Sequence, residues 1–345
     1  MHPNTRTMLE RLPRYRKFGP FLKRVFGERV YRIGLCGGFG CPNRDGRLGT
    51  GGCVFCNPES SEPLGHRPGR SISEQLTRGA DYIRRRHGAA KFIAFFEELT
   101  STYGDVHTLE SMYRQAVAHP DVVGLTLSTR PDCLPPEVLR LLQRFSRENR
   151  LWVELGVQSV RDATLQRINR CHTAEDSRNA IAAVRLLGIP VTAHVILGLP
   201  GEGPKDVEAT ARFLTEAGVN GAKIHNLHIV EKTKLAALHA QGEFNPPSLE
   251  TYVGMVCAFL ENLSPDVIIQ RLTGEAPRRL TVAPQWSVNK WTALNAIDSG
   301  LARRDAWQGK RLGTERGDLV RPVDLPGWLP GESLPIVRPH SRSRA

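Results

Sequence analysis

Four cysteines, Cys36, Cys41, Cys53 and Cys56, fall within twenty-one residues of a 345-residue chain that carries seven in all. In a chain of this size such crowding points to metal before it points to disulfides. Cys53 and Cys56 form a CxxC whose sulfurs can reach one metal site. Cys41 lies upstream across a glycine-rich loop, GGFGCPNRDGRLGTGGCVFCN at 37–57, able to wrap around a cluster. Three thiolates would hold three irons of a [4Fe-4S] cubane and leave the fourth iron open to a chelating substrate. With Cys36 added, the same thiols make a CxxxxC and CxxC pair, enough for a tetrahedral structural zinc. Taken alone, the cysteines leave both readings open. Zinc, however, gives no reason for a glycine-rich loop feeding a repeated βα unit. Phe55 suits a cover for one face of a cluster, and backbone N–H groups of the glycines can approach its sulfides.

The elements that must position these thiols follow the loop. Ser73 is a candidate N-cap for a helix over 74–87, with Leu76, Ala80 and Ile83 on its apolar face. A strand over 92–96, a helix over 109–118 and a strand over 122–127 come next. Pro135 opens another helix ahead of a strand over 151–157. A helix over 174–187 ends at Gly188 before a strand over 191–197, and one over 204–217 ends at Gly218 before a strand within 222–230. This βα rhythm, repeated about six times, predicts an α/β fold with a parallel sheet, either open and doubly wound or closed into a complete or partial (β/α) barrel. Both forms gather chemistry at the C-terminal strand ends.

Polar residues stand at those ends: Glu97 and Glu98 after the second strand, Ser128, Arg130 and Asp132 after the third, Glu154 and Gln158 around the fourth, and GLPGE at 198–202 after the fifth. Cys133 faces the same end. His194, and His225 and His228 in KIHNLHIV, suit proton transfer or substrate contact, and equally a core or rim satisfied by backbone. Beyond 241 a helix over 248–263, a strand near 267–271 and a segment with Trp286, Trp291 and Trp307 read as a lid. There Arg278 and Arg279 with Trp286 suit a phosphate clamp with a stacked base, or Trp286 is an aromatic anchor. The expected organisation is a basic extension over 1–30, a core over 31–240, an accessory region over 241–312 and a flexible tail over 313–345.

At 40% apolar residues the chain can bury one large core or two ordinary ones. No run approaches the roughly 18 uninterrupted apolar residues of a membrane span. The first thirty residues are basic instead of carrying an apolar signal core, so the expectation is a cytoplasmic protein with no membrane partner. The formal charge is +12, and positions 6 to 32 hold nine Lys or Arg against Glu10 and Glu28, interleaved with Tyr15, Phe18, Phe21, Phe26 and Tyr31. Such interleaving suits RNA, through phosphate contacts and stacked bases. The alternative is that the aromatics pack on the body of the protein. The Arg-, Ser- and Pro-rich end over 338–345 reads as disordered.

In order along the chain, CPNRDG and GGCxFCN, then STRPDCL at 128–134, ELGVQS at 154–159, RINRCH at 167–172, HVILGLPGE at 194–202, KIHNLHIV at 223–230 and RLTGEAPRRLTVAPQWSVNKW at 271–291 resemble a known family. It is the radical S-adenosylmethionine (SAM) family that includes the bacterial YhcC-like proteins, relatives of the Elongator catalytic subunit. The resemblance implies an enzyme on a partial (β/α)6-type barrel with a C-terminal accessory segment. It implies a [4Fe-4S] cluster on Cys41, Cys53 and Cys56, with SAM chelating the open iron and cleaved reductively to methionine and a 5'-deoxyadenosyl radical. The SAM contacts it implies are Glu97 for the methionine amine, Ser128 and Arg130 at the third strand end, Glu154 and Gln158 along ribose and methionine, and Arg170 for the carboxylate. Carboxylate for ammonium and guanidinium for carboxylate are both charge-assisted matches. It further implies an electron donor of flavodoxin or ferredoxin type and a wobble uridine of tRNA as substrate. A structural-zinc RNA-binding protein and a radical SAM enzyme acting on something other than RNA are the alternatives.

The sequence also departs from that family. Glu97 stands where the family carries Gln, TSTY at 100–103 replaces TNTY, Cys171 stands where Gly is usual, and Cys36 where a carboxylate is expected. Ligation at the three cysteines is untouched, whereas the amine contact and substrate pocket are left open. Cys36 and Cys171 are extra ligands or buried thiols, and burial is the expectation because free cysteine packs as a small hydrophobe.

Overall fold

A computed structural model describes residues 12–60 and 69–332. Seven parallel strands form one sheet in chain order: β1 (Val30–Leu35), β2 (Lys91–Phe96), β3 (Val122–Thr129), β4 (Leu151–Gln158), β5 (Val191–Leu197), β6 (Gly221–Asn226) and, past a two-residue strand β7 (Ile229–Val230) outside the sheet, β8 (Ile268–Arg271). The sheet curls as a half-barrel whose edge strands, β1 and β8, do not pair with each other. Strands covered on both faces must be apolar throughout, and β4 is buried at every position.

The helices that return the chain are α2 (Ile72–His87), α3 (Val106–Val117), α4 (Pro136–Glu148), the short α5 (Asp162–Arg167) with α6 (Ala174–Leu186), and α7 (Pro204–Ala217). Local signals fix their ends. Ser71 and Glu74 form a capping box at the start of α2, so the cap lies two residues before the expected Ser73. Pro135 caps α4, and Gly218 takes the left-handed conformation that ends α7. The apolar run over 222–230 is broken. β6 stops at Asn226, and β7 pairs antiparallel with β9 (Thr281–Ala283), beyond α8 (Lys234–Ala240) and α9 (Leu249–Glu261). The last helix, α10 (Lys290–Arg303), packs on α9.

The described segments nearest the two termini, 12–30 and 313–332, pack on the core instead of standing apart as an extension and a tail, and for the same physical reason. Helix α1 (Phe18–Phe26), from the expected basic extension, lies across both edge strands. Its Phe21, Leu22 and Val25 form a core cluster with Trp152, Leu325 and Trp328. Arg16 is buried, and it donates to the carbonyls of Pro265 at 2.6 Å, Arg321 at 2.6 Å and Asp318 at 2.8 Å. The aromatics of this stretch therefore pack on the body of the protein, and one of its arginines clamps the C-terminal segment. Of the expected tail over 313–345, the described residues 313–332 reach back in the same way. Trp328 is buried edge-on against Trp152, with ring centroids 5.1 Å apart. The accessory region in turn supplies β8 to the main sheet. Residues 338–345 and positions 1–11 lie outside the described residues. Among those described, no helix is long and apolar enough to cross a membrane.

Candidate cluster-binding and radical site

The cysteine loop leaves β1 and is folded by contacts distant in sequence. Arg44 N–H donates to the Cys41 carbonyl at 2.8 Å and Gly52 N–H to that of Asn43 at 2.8 Å, which closes the loop on itself. Val54 N–H then donates to Ile168 and Leu235 N–H to Val54, at 3.1 and 2.9 Å, so α5 and α8 clasp the CxxC. Asn43 is fully buried, and its Nδ2 reaches both the Asn169 carbonyl at 2.5 Å and Cys53 Sγ at 3.6 Å. Asn169 answers by donating to Gly52 O at 2.8 Å. At Gly49 a Cβ would sit 2.4 Å from Asn43 Oδ1, and only glycine leaves room there.

Guanidiniums face the thiols. Arg170 Nη1 lies 3.5 Å from Cys53 Sγ, and Arg44 Nη1 lies 3.9 Å from Cys56 Sγ. Burial, then the charges of Cys53 and Cys41, push the Cys56 thiol up to about 11, against the pull of Arg44. Cys53 and Cys41 thus lie near enough to Cys56 for their charges to reach it. Among the described residues no three His, Cys, Asp or Glu side chains converge on a single metal ion. Thiolates on a cubane stand farther apart, each on its own iron, and donor cations beside thiolates are what an iron–sulfur cluster requires for charge compensation. The residues present therefore fit such a cluster.

Two arginines connect the loop to the strand ends. Arg170 uses every nitrogen: Nη2 donates to Gly156 O at 2.8 Å and Nε to His172 Nε2 at 3.0 Å. Burial and then Arg170 hold His172 down to about 4, so it is the neutral acceptor this contact needs. Arg130 is forked onto Asp132 at 2.8 and 2.7 Å, and its Nη2 also donates to the Arg170 carbonyl at 2.7 Å. Its Nη1 is buried with no partner among the described residues. Gln158 Oε1, at the end of β4, is likewise buried and unmatched, on a backbone with φ of 66°. Leu99, Asn169 and Cys171 share that left-handed backbone, and such strain collects where a site over-determines its residues.

Beneath them runs an ionic floor. Lys223 Nζ, from β6, lies 2.5 Å from Glu154 Oε1 and 3.1 Å from Glu97 Oε1. Ser128 Oγ donates to the same Glu154 oxygen at 3.2 Å, while Arg32 stands 3.7 Å from Glu154 Oε2 and Arg271 3.7 Å from Glu97. Burial alone would raise the Glu97 carboxyl, but Lys223 and Arg271 override it and hold it down to about 2. Beside this floor, His194, His225 and His228 form a chain with ring centroids 5.5 and 4.7 Å apart.

Every residue expected at the site is thus at the C-terminal mouth of the half-barrel or in the layer just below it. Arg130, rather than Arg170, retains an uncommitted N–H group, and Glu154 is engaged by Lys223. Cys133 is a buried thiol, pushed up to about 12 by burial and by Asp132. Cys171 is exposed, not buried, and its Sγ lies 3.0 Å from Asn43 Oδ1. Cys36 contacts Glu98 through its thiol. Trp286 packs on Tyr252 with tilted rings, centroids 5.1 Å apart, and donates to Pro247 O at 3.2 Å, which makes it an anchor. The sequence reading missed Asn43, Arg32, Lys223 and Asn226. A lysine inside the apolar run over 222–230 was the available signal for the floor.

Residues 38–214 match the model of the Radical SAM superfamily, and residues 219–303 match the Radical_SAM C-terminal domain. The chain is 40% identical to protein YhcC of Escherichia coli strain K12 over 299 residues, which is 86% of this chain and 94% of that protein. It is 30% identical to a tRNA uridine(34) acetyltransferase of Dehalococcoides mccartyi over 159 residues, 45% of this chain and 34% of that one. The solved structure of Methanocaldococcus infernus Elp3 lacking its N-terminus shares the fold, with a TM-score of 0.64 at 15% identity. The match covers 81% of this chain and 64% of that one, so this chain spans less than two thirds of its length.

Proposed function

Because this chain belongs to the radical SAM superfamily, in the family of YhcC, and is a radical SAM enzyme working with SAM and an iron–sulfur cluster, we propose that it modifies a uridine of tRNA. The cluster is of the [4Fe-4S] type, on Cys41, Cys53 and Cys56. Held by those thiols, such a cluster would supply the electron for reductive cleavage of SAM. The observation that carries this reading is the pair of guanidiniums, Arg170 3.5 Å from Cys53 Sγ and Arg44 3.9 Å from Cys56 Sγ, set against the CxxC.

The chain's own groups bind and orient. Arg130 Nη1 donates to the SAM carboxylate, a charge-assisted contact that satisfies its unmatched N–H. Glu97 accepts from the methionine ammonium. Gln158 Oε1 accepts from a ribose hydroxyl, again using an atom the protein leaves unmatched. Arg170 is a positioning residue that ties Cys53 to the end of β4. Ser128 and Glu154 act through Lys223, which keeps the Glu97 carboxylate ionised. A flavodoxin- or ferredoxin-type protein delivers the electron.

For RNA, the support is the rim together with the tRNA-modifying relative. Arg44, Arg47, Lys232, Arg278 and Arg279 are exposed around the mouth, and Arg279 and Lys232 share Glu59, just after the CxxC. Trp291 is 61% exposed beside Lys290, an open face on which a base can stack.

The test is anaerobic reconstitution with iron and sulfide, then dithionite and SAM, with wild type and Cys53→Ala compared for 5'-deoxyadenosine. Formation by the wild type and loss in the variant is the expected result. A colourless protein that takes up zinc and forms none would refute the radical chemistry. Salt-independent binding of unmodified tRNA, or none, would refute the RNA substrate alone.

A further inference from the structure

Asn43 follows Cys41 by two positions and is 0% exposed. A side-chain amide carries two N–H groups and one carbonyl, and here both ends have partners. Nδ2 donates to the Asn169 carbonyl at 2.5 Å and to Cys53 Sγ at 3.6 Å. Oδ1 accepts from the Cys171 thiol at 3.0 Å. The opposite orientation of the amide would set two carbonyl oxygens against each other at Asn169, so the hydrogen bonds fix which end faces the sulfur. The frame around the amide is equally determined. Asn169 Nδ2 donates to Gly52 O at 2.8 Å, and Gly52 N–H donates back to Asn43 O at 2.8 Å. Asn169 and Cys171 hold this shape on a left-handed backbone, with φ of 54° and 57°.

The two thiols of the CxxC are therefore not equivalent. Cys53 is buried and faces two donors, Arg170 Nη1 at 3.5 Å and Asn43 Nδ2. Cys56 faces Arg44 Nη1 at 3.9 Å, on an exposed side chain whose charge the solvent screens. An N–H aimed at a ligand sulfur stabilises the electron-rich, reduced form of an iron–sulfur cluster more than the oxidised form, and so raises its reduction potential. An amide does this without adding a charge, and a buried amide does it without competition from water. The bond to the Asn169 carbonyl is enough to close the loop. The second N–H of Asn43 goes to sulfur.

We propose that Asn43 is a positioning residue for electron entry: its amide donates to the sulfur of Cys53 and, beside Arg170, raises the potential at which a cluster held there accepts its electron. In that step the flavodoxin- or ferredoxin-type donor is oxidised by one electron, the cluster is reduced by one, and no proton moves. This rests on the cluster assignment above and adds which ligand sulfur of the CxxC is compensated most and which neutral side chain does it.

The test uses the full chain, reconstituted anaerobically with iron and sulfide and kept free of SAM. Asn43→Leu keeps the shape of the side chain, adds no charge and removes both N–H groups. Its midpoint, from a redox titration followed by electron paramagnetic resonance, is expected about 59 mV below that of the wild type, a tenfold weaker reduction equilibrium for one electron. A variant that carries wild-type iron and sulfide at an unchanged midpoint overturns the proposal. A second measurement needs no substitution. Wild-type protein carrying heavy nitrogen only in the side-chain amides of asparagine is reduced and examined by pulsed paramagnetic resonance, and a coupling of that nitrogen to the cluster is expected. Asn57 and Asn169 direct their Nδ2 groups to the carbonyls of Glu231 and Gly52, so the coupling reports Asn43. Its absence overturns the proposal even where Asn43→Leu fails to load. Wild-type protein that takes up no iron and sulfide overturns the cluster assignment itself.

Discussion

Lys223→Met tests the ionic floor. Lys223 and Glu154 are 3% and 2% exposed and 2.5 Å apart, and removing one partner of a buried pair costs about 3–5 kcal/mol because the other charge stays behind. Two cations remain nearby, but each is 3.7 Å from its carboxylate, Arg32 from Glu154 and Arg271 from Glu97. The residual attraction is real and the short hydrogen bonds are gone, so the loss belongs at the lower end, about 3 kcal/mol. Urea unfolding read by tryptophan fluorescence measures it, since Trp152 and Trp328 sit in the core. A proton on the stranded carboxylate can replace the ammonium in the variant. The folded variant then binds more protons than the unfolded chain, and its deficit narrows from neutral pH toward about 5. In the wild type, Glu97 held at about 2 instead contributes stability that is complete above its ordinary 4.5 and lost only as the pH falls through about 2. Adding Glu154→Gln to Lys223→Met removes the stranded charge and recovers most of the deficit. A loss under about 1 kcal/mol, or a deficit insensitive both to pH and to Glu154→Gln, refutes the account of Lys223 as compensation for buried carboxylates.

Gly49→Ala drives a methyl into Asn43 Oδ1 and displaces the amide that supports Cys53. Cluster affinity falls about 10- to 100-fold, measured as iron and sulfide per chain, while circular dichroism is unchanged. Trp328→Ala empties a site packed by Trp152 and Phe26 and lowers unfolding free energy by about 3–5 kcal/mol, which urea midpoints report. His228, with its folded value held near 4 against 6.5, stays neutral while the unfolded chain takes up a proton. Stability therefore declines as the pH falls from about 6.5 to about 4, and His228→Phe flattens that slope.

The strands and their returning helices were legible because periodicity and caps are local. Val191–Leu197 and Pro204–Ala217 lie where their apolar runs, Pro204 and Gly218 place them. Where the sequence misled, the deciding partner was remote. The basic, aromatic stretch before β1 has the composition of an RNA arm, yet Phe21 packs on Trp152, more than a hundred positions away in sequence. Trp328 looked like part of a tail because its burial depends on Gly124 and Phe26. At the site, spacing gathered Cys36, Cys41, Cys53 and Cys56 and left cluster and zinc both open. It carried no sign that Arg170 would be fully engaged while Arg130 would keep a nitrogen unmatched, since hydrogen-bond competition is a property of the folded mouth.

The same long-range wiring argues against treating the C-terminal region as a detachable lid. The segment after Cys56 is held by Asn57 Nδ2 donating to the Glu231 carbonyl at 2.9 Å, and Glu231 N–H donates to the Leu280 carbonyl at 2.9 Å. Those two bonds join the cysteine loop, the end of β7 and the start of β9 in one chain of contacts. Gly274, in the turn that leads to β9, fixes Asn226 and closes on His225. The region after β6 therefore braces the thiols on one side and packs on His225 on the other. With β8 built into the main sheet, the half-barrel reaches the geometry of its mouth only when both parts of the chain are present.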